Sequence, residues 1–221
     1  MSVQPEAVVP YAVFEGDRAR IRLAELGLRF EYFSDAVTRG DELRQRCMPV
    51  HPRTYAGQVM WAETVAELRT QLLSLQESWE IGSSRNYETV FSGRRRIAIA
   101  VVGGNVYTGI NDVIRPKSAR SRGPVTSSRI AHNEGQYALE LEGITVPVES
   151  DEECITWLFL VNARQNQLFS ELSLATSMGQ DGRLGRWVQR ILLPPIPLSG
   201  AVTPIEPPED DQPSSVHVER R

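Results

Sequence analysis

The chain has 221 residues, of which 41% are hydrophobic and 24% charged, and its formal net charge at pH 7 is −4. These values exclude a chain that is disordered throughout and fit one sizeable domain or two small ones. The sequence lacks the roughly 20 consecutive apolar residues of a membrane-spanning helix, and its first ten residues lack the basic start and hydrophobic core of a signal peptide. We therefore expect a soluble, bacterial-type cytoplasmic protein.

Segment 14–78 has the apolar spacing of α-helices. A first helix should end at Gly27, because glycine tolerates the left-handed backbone conformation that often closes a helix. A second helix should begin near Arg29 and stop at Gly40. Asp41 should then cap a short helical continuation by accepting a hydrogen bond from a first-turn N–H.

The clearest pattern in this half predicts a third helix from about Val59 to Gln76. Its apolar residues are spaced by four, three, four and three positions, so they form one stripe along the helix. The residues of the stripe are Trp61, Val65, Leu68, Leu72 and Leu75. We expect this stripe to face the core.

Segment 79–198 changes to alternating periodicity and is predicted to be rich in β-strands. In residues 96–102, Ile97, Ile99 and Val101 should face one side of a sheet, and Ala98 and Ala100 the other. Residues 155–161 are apolar on both faces, which is typical of a central strand. A tight connection at 163–166 should lead into the return strand of a hairpin that contains Leu168.

Polar residues also alternate with apolar ones in 136–142, which predicts a half-buried strand with one solvent-exposed face. Three glutamates should occupy exposed positions on predicted strands, and two arginines alternate on a neighbouring strand. These residues are Glu140, Glu142 and Glu171, with Arg186 and Arg190. We expect them to form exposed cross-strand ion pairs of modest strength.

Together these elements predict an α+β fold, with N-terminal helices packed on one face of a mostly antiparallel sheet of about five strands. A loose N-terminal arm should cover 1–13. A single domain should follow over 14–198, with a helical part at 14–78 and a β-rich part at 79–198. Segment 199–221 is rich in proline and acidic residues and should form a disordered tail, because it has too little apolar surface to offset its ordering entropy.

The charge is distributed unevenly along the chain. Segment 85–129, which we call the basic segment, holds nine basic residues against two acidic ones, hence a net charge of plus seven. Since the whole chain carries minus four, the remaining residues sum to minus eleven. All the basic residues of the chain are arginines except Lys117. This asymmetry is the main functional signal of the sequence.

Glycines and serines lie among these arginines and offer backbone N–H groups and hydroxyls beside the guanidinium groups. Phosphate oxygens accept hydrogen bonds from all three kinds of donor. Tyr87, Phe91 and Tyr107 are interleaved and could stack on exposed bases. We therefore predict a non-enzymatic binding or accessory protein whose basic segment engages nucleic acid or another polyanion. The predicted phosphate contacts are Arg94, Arg95, Arg96, Arg115, Lys117, Arg120 and Arg122.

Two other interpretations explain the arginines without nucleic-acid binding. They can form a solvated strand edge and a loop neutralised by the acidic tail. They can also belong to a protein–protein interaction module that binds an acidic partner. Neither interpretation involves a membrane or a cofactor.

An enzymatic alternative is a divergent Mg²⁺-dependent nuclease that uses Asp112, Glu134 and Gln136. Two carboxylates on adjacent strands would hold the metal, and the glutamine would orient the attacking water. The usual lysine is replaced by Gln136, and no proline precedes Asp112. Mg²⁺ is expected only under this alternative. Cys47 and Cys154 are too few for a disulfide framework and lack the spacing of a zinc site.

Overall fold

The computed structural model describes residues 11–75, 77–141 and 147–198, with the backbone alone described for 137–141. These residues form four α-helices and a mostly antiparallel sheet of eight strands. The α+β class predicted from the sequence is confirmed. Among the described helices, none is both long and apolar enough to cross a lipid bilayer.

The helices are α1 (Gly16–Glu25), α2 (Phe30–Gln45), α3 (Tyr55–Leu73) and α4 (Pro124–Leu141). The strands are β1 (Ala12–Phe14), β2 (Glu80–Gly82), β3 (Thr89–Ser92), β4 (Ile97–Gly103), β5 (Ile155–Arg164), β6 (Gln167–Met178), β7 (Leu184–Leu192) and β8 (Ile196–Pro197). Their order in the sheet is β1-β7-β6-β5-β4-β3-β2, and β8 pairs with the start of β6. The pairs β1–β7 and β4–β5 are parallel, and the other described pairs are antiparallel.

Helices α1, α2 and α3 cover one face of the sheet, which we call the helical face. Phe33 of α2 and Phe159 of β5 are fully buried there, with ring centroids 4.9 Å apart. Leu68 and Leu72 of α3 enter the same cluster. Three members of the predicted stripe, Val65, Leu68 and Leu72, are buried as expected, whereas Trp61 is 43% exposed. Leu75 is half-buried and lies beyond the end of α3, which is shifted toward the N-terminus from the predicted 59–76. The core of this face forms because a helical apolar stripe meets the apolar side of the strands.

Helix α2 continues through Gly40, so the predicted stop there is wrong. A Cβ atom at Gly40 would lie 2.3 Å from Oγ1 of Thr64 and 2.7 Å from the carbonyl oxygen of Met60, both on α3. Glycine is present because α2 and α3 approach closely at this point. Asp41 is buried and accepts hydrogen bonds from Arg44 and Gln45 instead of capping a new helix.

The central strands follow their predicted patterns. The odd-numbered apolar residues of β4 and β5 face the helices, whereas Ala100 and Leu158 belong to a second apolar cluster on the opposite face. The predicted hairpin joins β5 to β6. Its two connecting residues, Gln165 and Asn166, both have positive φ, which gives the turn the twist of the adjoining strands.

The strand predicted at 136–142 is wrong, because residues 124–141 form helix α4. Pro124 begins this helix, and proline suits a first helical position. Four buried residues follow at helical spacing, but three of them are polar: Thr126, Arg129, Ile130 and Asn133. The helix therefore lacks the apolar stripe that would reveal it. Glu140 lies on this helix rather than on a strand, and Glu142 lies outside the described residues.

Helix α4 packs on β5 and β6 on the side of the sheet opposite α1–α3, which we call the α4 face. Helices thus cover both faces, not one as predicted, and the described sheet has eight strands rather than about five. The predicted β-rich part, 79–198, contains this helix. Ala12 and Val13, at the end of the predicted arm, pair with β7, whereas the predicted tail, 199–221, lies outside the described residues.

Candidate functional site

The connection from β4 to α4, residues 104–123, carries four of the predicted phosphate contacts and lies across the α4 face. The Ala119 N–H donates to the carbonyl of Gly103 at the end of β4, at 2.8 Å. The Ser118 N–H donates to the carbonyl of Leu184 at the start of β7, at 3.3 Å. The connection therefore bridges two distant strands of the sheet, and its backbone is held on both sides.

A buried ion pair lies beneath this connection. Nε of Arg190 donates to Oε1 of Glu171 at 2.9 Å, and both side chains are fully buried. The same pair binds the connection, since Glu171 accepts from the Gly109 N–H at 2.8 Å and Arg190 donates to the Ile110 carbonyl at 2.9 Å. Burial disfavours the charged guanidinium, but the hydrogen bond and attraction of Glu171 outweigh it and raise the pKa of Arg190.

The prediction that Glu171 occupies an exposed position is wrong. Glu171 and Arg190 do pair between neighbouring strands, as expected, but the connection covers them. A solvent-facing glutamate and a covered one follow the same alternating pattern in sequence, so the pattern alone does not separate them.

A second buried ion pair joins α4 to the turn before β5. Nη2 of Arg129 lies 2.8 Å from Oδ2 of Asp151, and Nη1 donates to the Asp151 carbonyl at 2.7 Å. Oγ1 of Thr89 donates to the same carboxylate at 2.8 Å. The guanidinium carbon of Arg129 lies 5.1 Å from the ring centroid of Tyr87, a cation–π distance. This arrangement neutralises one cation of the basic segment.

Four cations of the basic segment are paired with carboxylates, and all four carboxylates lie outside that segment. The pairs are Arg85–Glu152 at 3.4 Å, Arg95–Glu77 at 2.6 Å, Lys117–Asp181 at 2.8 Å and Arg129–Asp151 at 2.8 Å. The charge asymmetry of the sequence is therefore partly cancelled in space.

Two further predicted contacts are engaged by uncharged groups. Arg96 donates from Nη2 to the side-chain oxygen of Gln136 on α4. The guanidinium of Arg115 lies 4.1 Å from the ring centroid of Tyr11. Both arginines therefore have a defined neighbour.

The remaining predicted contacts, Arg94, Arg120 and Arg122, form no ion pair with any of the described residues. Arg94 is exposed in the turn between β3 and β4. Arg120 and Arg122 lie two residues apart, immediately before α4, and we call them the arginine pair. The structure thus places one group of candidates in the turn at 94–96 and the other in the connection.

Arg122 is the more buried member of the arginine pair. Its backbone N–H donates to the carbonyl of Gly182 at 2.8 Å, and its Nε is buried with no hydrogen-bond acceptor among the described residues. Burial lowers the pKa of Arg122; the Tyr87 phenol opposes this shift, and the positive charge of Arg120 adds to it. The positive charge of Arg122 is therefore partly shielded from water and lies near the positive charge of Arg120.

Comparisons of the chain with models of known protein families, with curated proteins and with solved structures found no match.

The aromatic residues of the basic segment are mostly unavailable for stacking on bases. Phe91 is 5% exposed, and the ring of Tyr87 already has Arg129 over it. Burial raises the pKa of Tyr87, although Arg122, Arg129 and the nearby Thr126 side chain act in the opposite direction. The Tyr87 hydroxyl is buried, and Thr126 does not complete a hydrogen bond to it.

None of the three nuclease candidates lies on a strand, so the predicted placement of two carboxylates on adjacent strands is wrong. Asp112 is exposed in the connection, where its carboxylate accepts from the N–H of Val113 at 2.5 Å. Glu134 is exposed on α4, and Gln136 is engaged by Arg96. Across the described ranges, no group of three or more histidine, cysteine or acidic side chains is placed to hold a metal ion.

Sequence reasoning missed the carboxylates that neutralise the basic segment. Asp151 and Glu152 belong to an acidic run at 149–153 that holds four acidic residues. Such a run next to a predicted central strand signals a partner for a basic segment elsewhere in the chain. Glu77 and Asp181 are single acidic residues, and their positions in sequence carry no comparable signal.

Proposed function

We propose that this chain is a non-enzymatic binding or accessory protein whose basic segment engages nucleic acid or another phosphate-bearing polyanion. The contact is made by the arginine pair, Arg120 and Arg122, ahead of α4. A guanidinium donates two parallel hydrogen bonds to phosphate oxygens and stays protonated at physiological pH. These two residues are neighbours in the connection and, among the described residues, neither is paired with a carboxylate.

The observation that carries this proposal is the partly buried Arg122 guanidinium without a carboxylate among its described neighbours. Removing a cation from water costs free energy unless a counter-charge or hydrogen bonds compensate. Arg129, in the first half of α4, has such compensation from Asp151. A bound phosphate would supply the same compensation to Arg122. Charged groups held at such a cost are concentrated at functional sites.

The other predicted contacts have smaller roles in this proposal. Arg94 is exposed in the β3–β4 turn, at the opposite end of β4 from the connection, and would offer a separate contact. The remaining four already have a carboxylate, an amide or an aromatic ring as neighbour: Arg95, Arg96, Arg115 and Lys117. A phosphate must displace or share such a neighbour before it can form its full set of hydrogen bonds with the cation.

Retention on heparin and fluorescence anisotropy with labelled DNA, each over a salt series, test the proposal. The affinity of the wild-type chain should fall linearly with salt on logarithmic axes, because binding releases counterions from the phosphates. Arg120→Gln and Arg122→Gln should each weaken binding and lower the salt slope by about 1. Arg20→Gln is the matched control, since Arg20 is exposed on α1, on the opposite face of the sheet.

Two results would contradict the proposal. One is a wild-type chain that is not retained on heparin or DNA at low salt. The other is an equal loss of binding in Arg20→Gln and Arg122→Gln, which would indicate diffuse attraction by surface charge rather than a site. Circular dichroism spectra of the variants establish that they are folded.

A further inference from the structure

The arginine pair carries two positive charges, and two other cations of this region are paired with carboxylates. Lys117 lies in the same connection, but its Nζ is 2.8 Å from Oδ2 of Asp181. Arg129, on the first half of α4, is held by Asp151. Of the four cations in the connection, Arg120 and Arg122 are therefore the two with no ion pair and no cation–π contact among the described residues. Arg183, in the turn between β6 and β7, also forms no ion pair with a described residue.

The placement of two unpaired arginines two residues apart matters because the phosphates of nucleic acid differ in charge. A phosphodiester in the interior of a strand carries one negative charge, and a protein gains affinity there by contacting several successive phosphates. A phosphate monoester, whose second pKa is about 6, carries close to two negative charges at pH 7. Two guanidinium groups match one dianionic monoester, whereas a run of diesters needs a row of cations.

The aromatic residues give the same indication. Tracking a single strand requires exposed rings on which successive bases stack. Phe91 is buried in the sheet, and the ring of Tyr87 lies under the guanidinium of Arg129. Tyr107, in the connection, is half-buried, so two of the three aromatic residues of the basic segment are covered. This favours recognition of a phosphate group over recognition of a run of bases.

We propose that the arginine pair recognises a terminal phosphate monoester, rather than the interior of a polyanion. This inference rests on the proposed function and narrows it to one class of ligand. Arg122 supplies a preplaced guanidinium, because its backbone is bonded to Gly182 and its Nε is buried. Arg120 is exposed and supplies the second charge.

The test compares a short deoxythymidine oligonucleotide bearing a 5′-phosphate with the same oligonucleotide bearing a 5′-hydroxyl, both labelled at the 3′ end. Anisotropy should show the phosphorylated form binding about tenfold tighter, which is typical of one additional charge-assisted contact. Arg120→Gln and Arg122→Gln should abolish this difference, and Arg20→Gln should preserve it. Inorganic phosphate should compete with the phosphorylated form, as a small phosphate ester would.

A second variant tests whether carboxylates limit the site. Asp181→Asn releases Lys117, and Asp181 precedes Gly182, which binds the backbone of Arg122. The additional free cation should strengthen binding of the 5′-hydroxyl oligonucleotide and reduce the preference for the 5′-phosphate. An unchanged preference in Asp181→Asn would overturn the inference.

The outcomes separate this inference from the proposed function. Equal affinity for the two oligonucleotides, with a steep salt dependence, would overturn the inference and leave polyanion binding in place. Binding of neither oligonucleotide, with no retention on heparin, would remove both. Competition by inorganic phosphate, together with no preference between oligonucleotides, would assign the site to small phosphate compounds and remove nucleic-acid ends as its ligand.

Discussion

The two faces of the sheet are built from different chemistry. On the helical face, apolar side chains of α1, α2 and α3 form one continuous cluster with the strands. On the α4 face, the apolar cluster is smaller, and two buried ion pairs hold α4 and the connection against the sheet: Glu171–Arg190 and Arg129–Asp151. The proposed phosphate site lies on this second face.

This difference has consequences for stability and for function. Apolar packing is non-directional and tolerates small rearrangements, whereas a buried ion pair depends on the placement of both partners. The connection is held by such directional bonds at Gly109 and Ile110. Polar contacts on this face therefore fix the backbone of the connection in which the arginine pair lies.

The largest expected effect comes from breaking the Glu171–Arg190 pair. Glu171→Gln removes the negative charge and leaves Arg190 charged and buried, which should lower the free energy of unfolding by about 3–5 kcal/mol. Urea denaturation followed by circular dichroism measures this loss. Glu152→Gln is the matched control, because Glu152 forms an exposed pair with Arg85 and should cost less than about 1 kcal/mol.

A loss below about 1 kcal/mol in Glu171→Gln would contradict the importance of this pair. The double change Glu171→Leu with Arg190→Met removes both charges together. It should recover part of the stability lost in the single variant, because no unpaired charge stays buried, although the Gly109 N–H and the Ile110 carbonyl lose their partners.

The helical face should respond to loss of volume rather than to loss of charge. Leu72→Ala removes a fully buried side chain from α3 and should cost about 3 kcal/mol of unfolding free energy. Leu73→Ala changes the next residue, which is 42% exposed, and should cost less than about 1 kcal/mol. Similar losses in both variants would show that the apolar face of α3 is not where the structure places it.

The helical face was also the face that the sequence could predict. The stripe containing Val65, Leu68 and Leu72 identified α3, because apolar side chains at every third or fourth position line up along one side of a helix. Helix α4 was missed for the opposite reason. Its buried face includes Arg129 and Asn133, and a periodicity made of polar residues is invisible to an apolar pattern.

The sequence predicted which cations form the candidate site, but it did not predict which residues lie next to them. The sequence identified Arg120 and Arg122 as members of a basic segment. It could not show that Asp181 lies beside Lys117, since these residues are 64 positions apart and are brought together only by the fold. Which arginines remain uncompensated is therefore a property of the tertiary structure.

A smaller effect is expected where two helices of the apolar face approach each other. Gly40→Ala places a methyl group against Thr64 and the backbone of Met60, and should cost about 2 kcal/mol because the packed helices must separate. Gly57→Ala is the control on α3, where a Cβ atom would meet nothing within 4 Å. That variant should be neutral or stabilise the protein by up to about 1 kcal/mol, as alanine favours helix. Equal effects of the two changes would contradict the close approach.

The smallest effect concerns the pH dependence of the α4 face. Burial, together with the nearby Asp151 carboxylate, raises the pKa of the Cys154 thiol from 9.0 to about 12. The folded chain thus keeps the thiol protonated at pH values where the unfolded chain loses its proton. The stability associated with this thiol is complete below pH 9 and is lost as the pH rises toward 12, with about 1 kcal/mol lost at pH 10. Urea denaturation at pH 8 and pH 10 should show this loss in the wild-type chain, beyond any change shared with Cys154→Ala, which lacks the titrating group. Parallel pH dependence in the two proteins would mean that the thiol ionises as freely in the folded chain as in the unfolded one, and that this part of the α4 face is open to water.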